Sequence, residues 1–398
     1  MTKKKFSMTT AGIIVLACLF YAVNGSIRCN YGLFRGAVSD NSGVDYATIS
    51  LILAVAQLSF GVMQPVFGVL ALKKTNTFVL GCGGALAATG LGLIPFCHAP
   101  WSLMLCLGLL TPIGLAGFSF GIIMGTITPL LGERRAATVS GFVSASCGGG
   151  SILFAPILRS SIDSNGLWGA ILSMCIPAAC LVLAALWLSR QKPAADAPAP
   201  RVQTDSLKEL FFSALKNPSY RYLMTAFFLC GFHMAIIETH LYSHFLSCGF
   251  SDQSVAYAFS VYGIACVVGG TTSGFLCSRF PMQRVLGCLY ASRTIWILGF
   301  LLLPKSQLSM YIFITLLGLT GGPVVPPTSG LVSKLFGPAS LGSLFGLVFV
   351  AHQIGSFLSA WLGGVFLSLT GGYVLIWCLS ALFSQIAAFL SFRVKIPQ

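Results

Sequence analysis

One arginine interrupts an apolar stretch of about two dozen residues, AGIIVLACLFYAVNGSIRCNYGLF, from Ala11 to Phe34. A helix of that length crosses a hydrocarbon core of ~30 Å at ~1.5 Å per residue. A charged side chain at the centre of such a helix costs on the order of 2.5–3.5 kcal/mol or more, so Arg28 requires a wet cavity, a protein partner or an anion. Its guanidinium offers a fixed fork of donors that matches a carboxylate two-to-one. Asn30 and Tyr31 beside it, and Gln57 in the next apolar run, are polar groups suited to the same ligand. Further on, CGFHMAIIETHLYSHF spaces His233, His240 and His244 at i, i+7 and i+11 on one helical face, with Glu238 a turn away. Imidazole and carboxylate are the side chains that take up and release protons, so His233 and Glu238 are candidates for a coupling proton. His233 and His240 are also candidate substrate contacts. His352 and Gln353, midway along another apolar run, offer hydrogen bonds either to a solute or between helices. Each has a plainer rival: Arg28 tied to backbone carbonyls or to Glu238, and histidines satisfied within the protein. Arg293, inside a further apolar run, is a second cation by type and a structural pairing by the same rival logic.

Other chemistries find no support in the residues. Fourteen cysteines contain no CxxC and no Cys/His metal spacing, and most sit inside apolar runs as small packing residues. The spacing of His233 and His240 brings no tight tetrahedral set for zinc. Gly148-Gly149-Gly150 lies inside an apolar run with no strand before it and no Lys-Ser/Thr after it, so close helix approach explains it better than a phosphate cradle. No nucleophile–base set or cofactor motif lies outside the apolar runs. The expectation is no catalytic residue, no metal and no cofactor.

The elements that position these residues are membrane helices. Hydrophobic residues make up 56% of the chain, charged residues 8%, and the mean hydropathy is +0.87. Soluble domains run near 25% charged. The runs exceed strand length and lack alternation, which excludes a barrel. A net charge of +14 invites a nucleic-acid partner, but 18 of the 23 lysines and arginines lie at the termini and in alternate loops. That is the positive-inside pattern; it implies no nucleic acid, an even number of spans and both termini in the cytoplasm. Lys3-Lys4-Lys5 resembles a signal-peptide start, but the run behind it is too long, so an uncleaved span is expected. Expected spans are 11–35, 46–72, 77–96, 101–127, 136–158, 166–189, 221–245, 253–277, 284–303, 309–332, 341–366 and 372–393. Pro323, Pro326 and Pro327 interrupt the tenth and suggest a bendable gate.

Twelve spans divide into residues 1–190, an N-terminal six-helix bundle, and 221–398, a C-terminal one. The cytoplasmic linker 191–220 opens with the Pro/Ala-rich QKPAADAPAPRV and closes with a short amphipathic helix bearing Leu207, Leu210, Phe211 and Leu215 on one face. The halves repeat. Residues 68–81 align without gaps to 274–287 at an offset of 206, and Gly25 and Gly43 fall on Gly231 and Gly249 at that offset. Gly125, Gly132 and Gly141 fall on Gly330, Gly337 and Gly346 at 205. Parallel repeats place a substrate site at their interface near the midplane, with Arg28 and His233 at similar depth.

The chain here resembles the major facilitator superfamily. The loops after the second and eighth spans carry its G-x-x-x-D-R-x-G-R motif in degraded form. Gly68 and Gly274 open it, Lys73 and Arg279 keep the basic position, and Leu72 and Ser278 replace the aspartate. Residues 56–65, 133–141, 325–337 and above all 345–364, FGLVFVAHQIGSFLSAWLGG, resemble the bacterial monocarboxylate-transporter-like branch, related to oxalate/formate antiporters. The resemblance implies that the first helix lines the cavity, and Arg28 with Phe34 reproduces the six-residue Lys–Phe spacing of animal monocarboxylate transporters. It also implies a helix-8 arginine, where this chain has Gly270, and a peripheral ninth helix for Arg293.

The expected activity is secondary active transport of a small organic anion, a mono- or dicarboxylate, by proton symport or exchange through a rocker-switch cycle. Partners are that anion, protons and the lipid bilayer of the inner (plasma) membrane; the chain is expected to be a monomer and not an enzyme. Substrate contacts are Arg28, Asn30, Tyr31, Gln57, His233, His240, His352 and Gln353. Proton coupling falls to Glu238 and His233, and structural or gating roles to Gly68, Lys73, Gly274, Arg279, Arg293, Pro326 and Pro327. Two alternatives stand beside this: a proton-driven efflux pump for drugs or metabolites, and a non-transporting membrane receptor or scaffold.

Overall fold

The computed structural model describes residues 8–191 and 207–396, and among them the secondary structure is helical, with no strand. Most of the Pro/Ala-rich linker, 192–206, lies outside the described residues. Eleven helices among the described residues are long and apolar enough to cross a membrane. Only helices and closed barrels satisfy every backbone polar group in lipid, so these apolar runs have little alternative to helix. The expected fifth and sixth spans fall in one helical run, Glu133–Leu188, turned at Asn165 and Gly166, where Gly166 takes φ 55°.

Contacts divide the chain into two compact units, Met1–Val202 with Pro338–Gly346, and Gln203–Gly337 with Leu347–Gln398. In the first, α1 (Met8–Arg28) is followed by α2 (Tyr31–Ser42), α3 (Tyr46–Lys73) and α4 (Asn76–Leu93). Then come α5 (100–116), α6 (Phe120–Leu131), α7 (133–164) and α8 (167–188). The packing relies on glycine. A Cβ on Gly25 would fall on the carbonyl oxygen of Cys147, and one on Gly150 would lie 2.7 Å from that of Ala22, so α1 and α7 cross at backbone contact. A Cβ on Gly83 would lie 2.7 Å from the Gly114 oxygen, which draws α4 against α5 in the same way. Gly68 on α3 meets the backbone of Gly342 and Ser343 just as closely.

The second unit begins with α9 (Leu207–Lys216), whose Leu210 and Ala214 are buried while Phe212 is 66% exposed. It continues through α10 (Pro218–Thr239), α11 (Leu241–Ser247), α12 (Asp252–Arg279), α13 (Met282–Leu302) and α14 (Gln307–Thr320). It ends with α15 (Val325–Phe336), α16 (Leu341–Thr370), whose first turns belong to the first unit, and α17 (Val374–Phe392). Its core is aromatic: Phe300 and Phe313 stack at 4.3 Å, with Phe245 5.7 Å from the first and Trp377 5.5 Å from the second.

The repeat recurs in the contacts. Gly25 abuts Cys147 in the first unit, and Gly231 abuts His352 in the second; both residues are shifted by 206 and 205. Gly150 abuts Ala22, and Gly355 abuts Phe228, at the same offsets. The described glycines with positive φ also pair: Gly43 with Gly249, Gly132 with Gly337, and Gly166 with Gly371.

The expected spans are less continuous than their hydropathy suggests. The first breaks at Cys29 and Asn30, where Asn30 Nδ2 donates to the Ser26 carbonyl at 2.8 Å and ties off the end of α1. The fourth breaks at 117–119 between α5 and α6, and the tenth at 321–324 between α14 and α15. In the tenth, Pro326 and Pro327 sit in the first turn of α15, where an N–H would be unpaired in any case, and Pro323 lies in the break. The seventh breaks at His240.

Candidate substrate site

The last residue of α1 carries the first unit's polar cluster. Arg28 is half-buried, its Nη2 donates to Gln57 Oε1 at 2.8 Å, and its guanidinium lies 3.6 Å from the centre of the Phe60 ring. Gln57 and Phe60 are a turn apart on one face of α3, so a single helix supplies both the acceptor and the stacking surface. Arg28 Nε is buried and makes no hydrogen bond, and no carboxylate pairs with this guanidinium among the described residues. Tyr21 and the buried Tyr31 stand within electrostatic reach of the same charge. Asn30 Nδ2 donates to the Ser26 carbonyl at the end of α1. Phe60 was not among the residues singled out in the sequence. Its signal is the i+3 step from Gln57, visible only once Gln57 is known to face Arg28.

The polar residues of the second unit meet helices. His233 is fully buried with Nδ1 2.8 Å from Ser380 Oγ on α17, and its Nε2 has no partner. His240 Nε2 is 3.1 Å from the Ala360 carbonyl oxygen on α16. His244 is packed among Phe300, Tyr373 and Trp377. The shared histidine face is thus turned toward α16 and α17. Glu238 leaves the last turn of α10 exposed, within electrostatic reach of Tyr262. His352 stacks on Phe349 at 5.1 Å and lies tilted against Phe227 at 4.8 Å, and its Nδ1 is 3.2 Å from Oε1 of the buried Gln353.

Arg293 is fully buried on α13 and reaches the carbonyls of Thr320 and Gly321 and the sulfur of Cys230. Lys73 and Arg279 end α3 and α12, the latter 4.5 Å from the Phe275 ring centre, and Gly274 is buried one turn earlier. Two grooves of about 340 and 470 Å³ lie along α13; both are lined mostly by apolar side chains, with Arg284 in the first and Ser306 and Ser309 in the second, and neither includes a residue singled out for transport.

The Major Facilitator Superfamily profile matches residues 10–306 and 246–398. The chain belongs to the Major Facilitator Superfamily. Superfamily relatives include monocarboxylate transporter 12 of Xenopus laevis, 25% identical, with 94% of this chain and 86% of that protein covered. The uncharacterised MFS-type transporter YcxA of Bacillus subtilis is 22% identical, with 94% and 93% covered. Among solved structures, the fucose:proton symporter FucP of E. coli superposes with a TM-score of 0.74 at 16% identity, over 96% of this chain and 98% of that one. The protein is a multi-pass membrane transporter, and the resemblance to the monocarboxylate-transporter-like branch read from residues 345–364 agrees with these relatives.

Proposed function

We propose that the protein is a secondary active transporter of a small organic anion, a mono- or dicarboxylate, working by rocker-switch alternating access with twelve spans and both termini in the cytoplasm of a plasma membrane. The observation that carries the reading is Arg28: a half-buried guanidinium at the end of a membrane helix, braced by Gln57 and Phe60, with Nε lacking an acceptor. A solute carboxylate can pair with this half-buried guanidinium, which has no carboxylate partner among the described residues, and a cation cannot. Gln57 holds one edge of the fork and leaves the rest for the ligand. The carboxylate in the name of the Xenopus relative agrees with this chemistry.

Glu238 is the proton site in this proposal. It is exposed, within electrostatic reach of Tyr262, unlike the buried His233, which hydrogen-bonds Ser380. Labelled lactate, pyruvate and succinate, offered to proteoliposomes with and without an inward proton gradient, test the reading; no uptake of any carboxylate and uptake of lipophilic cations would replace it with the efflux account. Glu238→Gln should abolish gradient-driven accumulation, at least tenfold, while leaving exchange within about threefold of wild type. Accumulation unchanged in Glu238→Gln removes that residue from the coupling.

A further inference from the structure

Two broken helices in this chain are held by side chains from other helices, and the repeat relates the two solutions. In the first unit α5 ends at Ala116, and Asn24 Nδ2 on α1 donates to the carbonyls of Leu115 and Phe118, each at 3.0 Å. In the second unit α14 ends at Thr320, and Arg293 donates to the Thr320 carbonyl from Nε at 3.1 Å and Nη2 at 2.6 Å, and from Nη2 to that of Gly321 at 2.8 Å. The repeat offset of 205 carries Leu115 onto Thr320. The same carbonyl is therefore capped in both halves, by different residues.

The sequence explains the difference. An offset of 206 carries Asn24 onto Cys230, which has no amide to offer. Cys230 instead accepts from Arg293 Nη1 at 3.3 Å. The residue repeat-equivalent to Arg293 is Ala87, fully buried where α4 lies against Gly114. One half thus uses a short amide on the first helix of its repeat. The other lacks that amide and reaches the break with a long guanidinium from the third helix. Arg293 is fully buried, and its hydrogen bonds go to carbonyls and a sulfur, with no carboxylate among them. Its charge is met by the negative end of α14, where helix carbonyls are left without backbone partners.

We infer that Arg293 is a positioning residue for transport: it clamps the break between α14 and α15 in the role that Asn24 has at the break between α5 and α6, and it does not touch the transported solute. The clamp is independent of which solute is carried. It fixes the bend of the tenth span, so its loss alters how fast the carrier reorients more than how tightly it binds.

The test is a transplant between halves. Arg293→Ala should lower the maximal rate of uptake at least about tenfold, with KM within about twofold of wild type. The probe is whichever of lactate, pyruvate or succinate the wild-type protein takes up. Adding Cys230→Asn to Arg293→Ala, which gives the second unit the first unit's device, should recover the rate to within about threefold. The melting temperature of the purified protein in detergent is read in parallel: it should fall in Arg293→Ala by about 5 °C or more and return by at least half in the double variant. If Arg293→Ala fails to fold, recovery of folded, active protein by Cys230→Asn carries the same meaning. A double variant as impaired as the single overturns the inference. So does an Arg293→Ala protein with KM raised tenfold and an unchanged maximal rate, because the guanidinium would then act on the solute. The melting measurement needs no substrate, so a failure of the anion reading leaves the clamp testable.

Discussion

Arg28→Ala is expected to reduce carboxylate uptake at sub-saturating substrate by about 100-fold or more, with the loss mainly in KM. Truncating one partner of a hydrogen-bonded charge pair that is largely desolvated costs about 2–5 kcal/mol, and each 1.4 kcal/mol is a factor of ten. The guanidinium brings to the pair an unpartnered Nε and a plane fixed against Phe60. Arg28→Lys keeps the charge and loses both the fork and the stacking, so a loss of about tenfold is expected. Gln57→Ala removes only the group that orients Nη2, and a loss of a fewfold is expected. Initial rates of uptake into proteoliposomes across a range of substrate concentrations separate these cases. An order other than Ala worse than Lys, and Lys worse than Gln57→Ala, speaks against a carboxylate held by this fork.

A larger effect on folding is expected from one methyl group. Gly231→Ala would put a carbon onto the carbonyl oxygen of His352, and Gly25→Ala onto that of Cys147. In both cases the obstacle is backbone of a crossing helix and cannot swing aside. Overpacking a well-fitted interface costs about 1–3 kcal/mol, and more where the obstacle is main chain, so each variant should lose most of its folded yield. The repeat makes the prediction double: the two substitutions sit at equivalent crossings and should be similarly damaging. Gly299→Ala is the control, since a Cβ there meets nothing within 4 Å and alanine favours the helix by about 0.8–1.0 kcal/mol. Size-exclusion profiles and melting temperatures in detergent check all three. A well-folded Gly231→Ala protein would mean that α10 and α16 do not cross as closely as described.

Much of the architecture was legible because lipid leaves few choices. Long apolar runs become helices, and loops between them carry the turn glycines. Gly43 with Gly249 and Gly132 with Gly337 were visible as repeats before their positive φ values were known. Gly166 with Gly371 repeats the 205 offset of Gly132 with Gly337, but a single matched pair among 44 glycines carries little weight alone. The Gly25 and Gly231 matches likewise marked equivalent helix crossings, although their partners Cys147 and His352 share no residue type.

The breaks were less legible. Prolines announced the one at 321–324, whereas the break at 117–119 is marked locally only by Pro112, Gly114 and Gly117 and is held by an asparagine more than ninety residues away. The end of α1 was hidden because the residue type of Asn30 does not say that its Nδ2 donates to the Ser26 carbonyl. Helical spacing placed three histidines on one face, and it does not say what that face meets; here it meets α16 and α17. Arg28 and Gln57 were each singled out by residue type, and the fold brings them to 2.8 Å. Arg293 was legible as a buried cation, and its carbonyl partners were not, because they are main-chain atoms at the end of another helix.

The most direct measurement is equilibrium binding of matched pairs, a carboxylate and its neutral amide, to the purified protein by calorimetry. Lactate with lactamide and pyruvate with pyruvamide are suitable. The account predicts that the wild-type protein prefers the acid of its substrate pair by about 100-fold or more and that Arg28→Gln abolishes that preference while leaving the weak binding of the amide in place. Equal affinity for acid and amide in the wild-type protein, or an undiminished preference in Arg28→Gln, would contradict the assignment of the anion to Arg28.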